Sequence, residues 1–248
     1  MLRRFYAPPS ARTSTHIRLD AQEAHHLKDV LRLTAGDQVS VFDGEGNELV
    51  CEIENSSRSG AELKILKQES KRVESDLQIT LYQAIVKGEK FDLVVQKATE
   101  LGVNRIVPVM TAHSDVKPDR ESSSRKLERW RRIALEATKQ SGRTRLIEIQ
   151  PPISFSAALE TKAGLKFLFA ERGGTLLHER KADPAIGSVA ILIGPEGGWQ
   201  SEEIEQAKDA SFEIVTIGPR ILRTETAAIT AVSLIQFLLG DLSKASGD

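Results

Sequence analysis

The sequence predicts an α/β fold in which a small β-barrel-like domain precedes a larger domain built on a mostly parallel sheet covered by helices. Three observations carry this reading. The texture changes near residue 75, with short β-type runs before it and alternating strands and helices after it. The chain has 248 residues and 40% hydrophobic content, enough for more than one core. The last apolar stretch, Thr226–Leu239, has the length of a helix and is apolar on nearly every face, which predicts deep burial, with Gly240 closing it.

In the first part, the strand-like runs are His16–Leu19, Gln38–Phe42, Glu48–Glu54 and Ala61–Leu66. Turn residues at Asp43–Asn47 and Ser56–Gly60 separate them. In Leu49–Glu54, Leu49, Cys51 and Ile53 alternate with polar positions, so Cys51 is expected to point inward. Ala21–Leu31 reads as one short helix with Asp20 as its N-cap. The polar stretch Lys67–Ser75 reads as a linker, which places the domains at 1–72 and 73–248.

In the second part, apolar runs occur at Ile79–Val86, Arg105–Val109, Leu146–Ile149, Leu165–Phe169, Val189–Ile193 and Ile214–Ile217. Helical spacing lies between them. Phe91, Val94, Ala98 and Leu101 form one face, ending at Gly102, and Leu127, Trp130, Ala134 and Ala137 form another.

Bulk properties narrow the functional classes. The net charge is −1, so nucleic-acid contact has to come from local patches. One cysteine supports neither a disulfide framework nor a Cys-rich metal site. His25 and His26 are adjacent but have no Cys/His partner set, so no metal is expected. The first residues show no apolar run after Arg3 and Arg4, and no stretch approaches the ~20 apolar residues of a membrane span, so a cytoplasmic protein is expected.

Two segments carry chemistry. A strand runs into Gly194-Pro195-Glu196-Gly197-Gly198, and Ser201 is expected to cap the helix that follows. Glycines after a buried strand let backbone approach a ligand, and in open α/β sheets ligands sit beyond the C-terminal strand ends. The plain alternative is a tight strand–helix turn. The pattern is neither a dinucleotide fingerprint nor a P-loop. A second strand runs into Gly218-Pro219, then Arg220, Arg223, Thr224, Glu225 and the apolar helix. Charges beside such a helix are costly unless paired or bound to a ligand. A structural Arg–Glu pair explains them equally well, but two Gly-Pro loops in one domain favour a shared pocket.

Over nearly its whole length the chain resembles the 16S ribosomal RNA uridine-N3 methyltransferase family, a branch of the knotted SPOUT-type methyltransferases. The segments that carry the resemblance are 3–8 (RRFYAP), 25–37 (HHLKDVLRLTAGD), 88–103 (GEKFDLVVQKATELGV), 139–143 (KQSGR), 194–198 (GPEGG) and 220–228 (RILRTETAA). It departs at Lys139, where the family usually has an acidic or small residue, and in lacking a proline after Arg143. The resemblance implies a PUA-like N-terminal barrel, a trefoil-knotted parallel-sheet domain, an obligate homodimer and S-adenosylmethionine as methyl donor. Carried onto this chain, it places the cofactor against Leu168, Phe169 and Ala170, against Ile193, Gly194, Pro195, Glu196, Gly197 and Gly198, and against Ile217, Gly218, Ile221, Leu222, Thr226 and Ala227. The implied substrate is a uridine of 16S ribosomal RNA in the small ribosomal subunit.

Uracil N3 carries a proton, so the enzyme has to help remove it or stabilise the resulting anion. Arg223 is expected to stabilise that anion, with Glu196 or Glu225 orienting or deprotonating the base. Methylation at uracil C5 commonly uses a cysteine adduct, and the only thiol lies in the small domain, which argues against C5. Between Arg125 and Arg145 eight basic residues face two acidic ones. Arg129, Arg132 and Arg143 from this stretch, with Arg3, Arg4, Arg12 and Arg32, are the expected RNA contacts, although charge runs on helices are often simply solvated. Phe5 and Tyr6 either stack on RNA or begin the barrel core. Competing functions are methylation of another RNA atom and a non-catalytic RNA-binding or ribosome-assembly role.

Overall fold

The computed structural model describes residues 2–69, 73–113, 120–177 and 186–244. The chain divides into two compact units: Met1–Glu74 with Thr138–Leu146, and Ser75–Ala137 with Ile147–Asp248.

The first unit holds a five-stranded sheet of β1 (Arg4–Tyr6), β2 (His16–Leu19), β3 (Gln38–Phe42), β4 (Glu48–Ser57) and β5 (Gly60–Glu69), in the order β1-β3-β4-β5-β2. β1 runs parallel to β3 and the other pairs are antiparallel. The sheet therefore ends on β1 and β2. β5 continues through Lys67–Glu69, where the sequence predicts linker. Backbone pairing needs no apolar side chain: Val50 pairs Lys67, Leu49 pairs Gln68 and Glu48 pairs Glu69. The predicted helix over Ala21–Leu31 divides into α1 (Ala21–His25) and a wider π-turn over His26–Val30. Asp20 caps it as predicted, accepting from Glu23 N at 2.8 Å. Phe5, Leu19, Leu27, Val41, Cys51, Ile53 and Leu63 fill the core, so Phe5 is a core residue and Cys51 points inward.

Thr138–Leu146 completes this unit because three basic side chains bind within it. Arg4 donates to the carbonyls of Thr138 (3.0 Å), Lys139 (2.7 Å) and Arg143 (2.8 Å), and pairs with Glu48 at 2.9 Å. Arg143 is buried against Glu74 at 2.9 Å, and Lys139 pairs with buried Glu23. The expectation that Arg4 and Arg143 grip RNA is therefore corrected. Their guanidinium groups are already bonded to carboxylate or backbone oxygens inside this unit.

The second unit holds β6 (Gln78–Ala84), α2 (Lys90–Glu100), β7 (Arg105–Met110), α3 (Arg120–Ser141, whose last turn lies in the first unit), β8 (Glu148–Ile149), β9 (Ile153–Ser154), α4 (Phe155–Leu159), β10 (Leu165–Phe169), β11 (Thr175–Leu176), β12 (Ser188–Ile193), α5 (Ser201–Asp209), β13 (Glu213–Thr216) and α6 (Thr224–Leu239). Its sheet order is β11-β13-β10-β12-β6-β7-β8, with β9 pairing β7, and every pair is parallel. Period-two alternation sends successive side chains to opposite faces. Phe167, Phe169, Val189, Ile191 and Ile193 join one core with α2 and α6 residues such as Phe91 and Val232. Leu168, Ala190 and Leu192 join the other with Phe155 of α4 and Ala207 of α5. Continuous apolar strands are what a sheet buried on both faces requires.

Gly102 ends α2 as predicted, at φ +83°, and its missing Cβ leaves room for the buried Gln236 side chain, whose Nε2 would lie 2.7 Å from such an atom. α6 is less buried than its composition predicts. Ala228, Ala231, Val232 and Ile235 are covered, while Phe237 is 56% exposed.

Candidate active site

The two strands that carry the motifs, β12 and β13, run parallel to β10 between them, so the C-terminal ends of all three open on one edge of the sheet. A cavity of about 440 Å³ lies there. Three segments wall it: Phe169–Arg172 after β10, Ile193–Trp199 after β12, and Ile217 with Arg220–Thr224 after β13. Ile204 and Ala227 close it.

The glycines act for different reasons. Gly198 has φ +69° and Gly218 φ +62°, which side chains disfavour. Gly194 has no such angle; a Cβ there would sit 3.1 Å from the Trp199 indole. That ring is held by its Nε1–H, which donates to Phe169 O at 2.9 Å, and by Phe155, 5.4 Å away between centroids. One tryptophan thus ties the β10 loop to the β12 loop. Gln200 rather than Ser201 is the N-cap of α5. Glu203 explains this: its buried carboxylate accepts from Gln200 N and from Ala112 N, both at 3.0 Å.

A second tie joins the β12 loop to α6. Thr224 Oγ1 donates to Gly194 O at 2.6 Å. It therefore accepts from Gln83 Nε2 at 3.1 Å, and the same Gln83 amide donates to Ala84 O at 3.1 Å. Gln83 is fully buried at the end of β6, and its Oε1 has no hydrogen-bond partner among the described residues. Reversing the amide would set that oxygen against the Ala84 carbonyl, so the orientation is fixed by its neighbours.

Among the predicted cofactor contacts, Phe169, Ala170, Ile193 through Gly198, Ile217, Ile221, Leu222 and Ala227 line the cavity, together with Arg223. Four predicted site residues do not. Leu168 faces the opposite core, which follows from strand alternation against Phe169. Gly218 turns the loop, and Thr226 is exposed on α6. Glu225, in the first turn of α6, has a buried Oε2 without a hydrogen-bond partner among the described residues. Glu196 accepts from Lys90 Nζ at 2.8 Å, and this bond holds the Lys90 ammonium above the ordinary lysine range. Sequence reasoning missed Trp199, Ile204, Arg172 and Gln83. Trp199 directly follows the glycines and was readable there; Gln83 sits inside an apolar strand run, where a buried polar residue was the only signal.

The RNA methyltransferase domain family matches residues 73–236, and an RNA methyltransferase PUA domain matches residues 19–66. The chain belongs to the RNA methyltransferase family. It is 31% identical to the ribosomal RNA small subunit methyltransferase E of Bacillus subtilis, over 88% of this chain and 89% of that one. A Legionella pneumophila methyltransferase solved with bound S-adenosylmethionine is 35% identical, with a TM-score of 0.91 over 98% of this chain and all of that one. The Neisseria gonorrhoeae ribosomal RNA small subunit methyltransferase E, solved with the same molecule, is 33% identical, with a TM-score of 0.89 over 98% and 100%. Within this family member, Cys51 is far from suited to nucleophilic work. It is fully buried in the first unit, and burial pushes its thiol up to about 11.

The expected RNA residues divide by their partners. Arg129 is bound to Asp92, which also accepts from Trp130 Nε1 at 3.1 Å. Arg132 on α3, and Arg3, Arg12 and Arg32 in the first unit, are exposed. Among the described residues no helix is long and apolar enough to cross a membrane.

Proposed function

We propose that this protein methylates N3 of a uridine in 16S ribosomal RNA of the small ribosomal subunit, using S-adenosylmethionine. The observation that carries the reading is the cavity framed by two Gly-Pro loops, in a chain about one-third identical over 98% of its length to a ribosomal RNA small subunit methyltransferase E that binds this cofactor. The residues present fit it. Ile193, Ile217, Ile221, Leu222 and Ala227 offer an apolar wall for a flat adenine, and Glu171, Arg172, Glu196, Arg220 and Arg223 place charges of both signs for its sulfonium and amino-acid tail. When bound, S-adenosylmethionine supplies an electrophilic methyl group and leaves as a neutral thioether.

The chain's own residues do the rest. Arg223, on the cavity wall, stabilises negative charge as the N3 proton is lost. Glu196, fixed by Lys90, orients the base or takes the proton, and Glu225 supports Arg223 from the first turn of α6. The first 72 residues serve as the RNA-binding PUA-like domain and residues 73–248 as the catalytic one, with Arg3, Arg12 and Arg32 on the former and Arg129 and Arg132 on the latter meeting RNA. The family further supports a trefoil knot, cytoplasmic action and a homodimer. Phe237, Ile221 at 62% exposure and Leu242 at 50% leave apolar surface for a second copy.

The test is mass mapping of 16S RNA from small subunits that lack the N3-methyl group, after incubation with protein and cofactor. A single new N3-methyluridine is expected. Methylation at a ribose oxygen, or cofactor binding with no transfer to any RNA, overturns the reading.

A further inference from the structure

Buried amides need partners at both ends, and this unit holds two that differ. Gln236 on α6 is fully buried; its Nε2 donates to Leu101 O at 3.0 Å and its Oε1 accepts from Ser75 Oγ at 3.1 Å. Gln83 at the end of β6 is equally buried, but among the described residues only its donor end is matched. By strand alternation it shares the face of Ile79 and Leu81, which packs into the core with α2 and α6. A buried carbonyl without a donor weakens a fold, and an apolar side chain of the same length would remove that penalty. Packing alone therefore does not account for a glutamine here.

The donor end acts in one direction. Amide N–H groups only donate, so the Thr224 hydroxyl accepts from Gln83 and turns its single proton to Gly194 O, 2.6 Å away. The same amide is also held on Ala84 O at 3.1 Å, which stops the side chain from swinging. The two ends of this chain of bonds adjoin the two groups assigned to the chemistry: Thr224 follows Arg223, and Gly194 lies two residues before Glu196. The α2 end of the same connection repeats the arrangement, since Lys90 Nζ donates to Glu196 at 2.8 Å. Residues 83–90 thus reach both Gly-Pro loops that wall the cofactor cavity.

Resting on the function proposed above, we propose that Gln83 is a positioning residue for methyl transfer: through the Thr224 hydroxyl it fixes the spacing of Arg223 from the Glu196 loop. Gln83 does not itself line the cofactor cavity, so its influence runs through the two loops. Transfer needs the donor, the acceptor and the stabilising charge in register, and a misplacement of about 1 Å can slow a reaction about 100-fold. The apolar wall that meets the adenine is left as it is by a change at Gln83, so the loss falls on the chemical step rather than on cofactor binding. The unpartnered Oε1 is the stability given up for that geometry, as happens where activity sets a residue that packing would not.

The experiment measures kcat and KM for methyl transfer to small subunits lacking the modification, the calorimetric Kd for S-adenosylmethionine and the urea midpoint. Gln83→Met removes the N–H donors and the unpartnered oxygen at similar volume. We expect kcat to fall about 10- to 100-fold, with KM and Kd within about threefold and the midpoint close to that of the wild type. Thr224→Val, which keeps the shape but not the hydroxyl, is expected to lose at least as much, and Thr224→Ser to stay within about threefold of the wild type. Because one chain of bonds is cut, the Gln83→Met/Thr224→Val pair should lose no more than Thr224→Val alone. An active wild type with an equally active Q83M overturns the role of Gln83 alone. So does a Q83M that loses stability but keeps its kcat per folded molecule, and so do losses that multiply in the double variant. Equal kcat in Thr224→Val and Thr224→Ser overturns it as well, in variants that leave Gln83 in place. A wild type that binds cofactor but methylates no RNA overturns the proposed function and this positioning role with it.

Discussion

The basic residues of the first unit and those at the strand ends of the second are chemically alike and are used in opposite ways. Arg143 is buried and Arg4 and Lys139 are half-buried, each matched to a carboxylate or to backbone carbonyls. Arg220 and Arg223 are exposed on a cavity wall, and nearby Glu225 keeps a buried oxygen without a hydrogen-bond partner among the described residues. The first group is neutralised by the fold. The second is left for something the fold does not contain. A buried, completed ion pair argues for a structural duty, whereas an uncompensated charge at a cavity argues for a ligand. Substitutions in the two regions should therefore fail differently.

The largest effect is expected from Arg143→Ala. Its guanidinium makes bonds of 3.0 and 2.9 Å to Glu74, whose other oxygen accepts from Thr144 N and Arg145 N. Removing the arginine leaves that carboxylate with its amide donors but without its countercharge. Breaking a buried pair from one side costs about 3–5 kcal/mol. Urea denaturation should show this loss, while the cofactor Kd of the remaining folded protein stays unchanged. A variant as stable as the wild type would erase the distinction drawn above.

Arg223→Ala should give the mirror image. Arg223 is exposed and precedes α6 as its N-cap, with no side-chain capping bond, so denaturation should detect a loss below about 0.5 kcal/mol. Methyl transfer at saturating cofactor should fall about 100-fold, the usual scale for removing one stabiliser of developing negative charge. Near-normal turnover would take Arg223 out of the chemistry.

Gly194→Ala sharpens the comparison at a position where sequence and structure give different reasons. From sequence, this glycine reads as backbone approaching a ligand. In the structure its missing Cβ makes room for Trp199. The added methyl must push the indole by a few tenths of an ångström against its bond to Phe169 O, worth about 1 kcal/mol. Cofactor affinity should therefore weaken about 10-fold through the displaced β10 loop, with a small loss of stability. An unchanged Kd would mean that the tie between the two loops does not shape the cavity.

That difference illustrates what the sequence could disclose. Alternation and period identified β6, β7, β8, β10, β12 and β13 to within a residue or two, because burial on both faces leaves an apolar run that survives in one dimension, whereas the short β1, β9 and β11 were not foreseen. The Gly-Pro loops were legible because glycine and proline restrict backbone locally. Partnerships across the chain were not. Arg4 and Thr138–Leu146 are more than a hundred residues apart, so an arginine gripping RNA and one gripping backbone look identical in sequence. Lys139 is the same case: its charge meets Glu23, 116 residues away. Leu168 was misplaced for a simpler reason, since adjacent strand residues cannot both face one cavity. Gln83 was overlooked because its work lies in a hydrogen bond to Thr224, far along the chain.

The smallest effect separates arginines that remain after the buried ones are set aside. Arg132 is exposed on α3, whereas Arg129, one turn earlier, is bound to Asp92. If Arg132 meets a phosphate, Arg132→Ala should weaken RNA binding several-fold and reduce the slope of log affinity against log salt by about one. Arg129→Ala should change that slope less, because its charge is already compensated by Asp92. Neither change should alter the cofactor Kd, or the unfolding free energy by more than about 0.5 kcal/mol. Equal slopes for Arg132→Ala and the wild type would make that arginine a solvated charge. A larger slope change from Arg129 would mean that RNA displaces Asp92, and that a paired surface arginine in this unit is as available as an unpaired one.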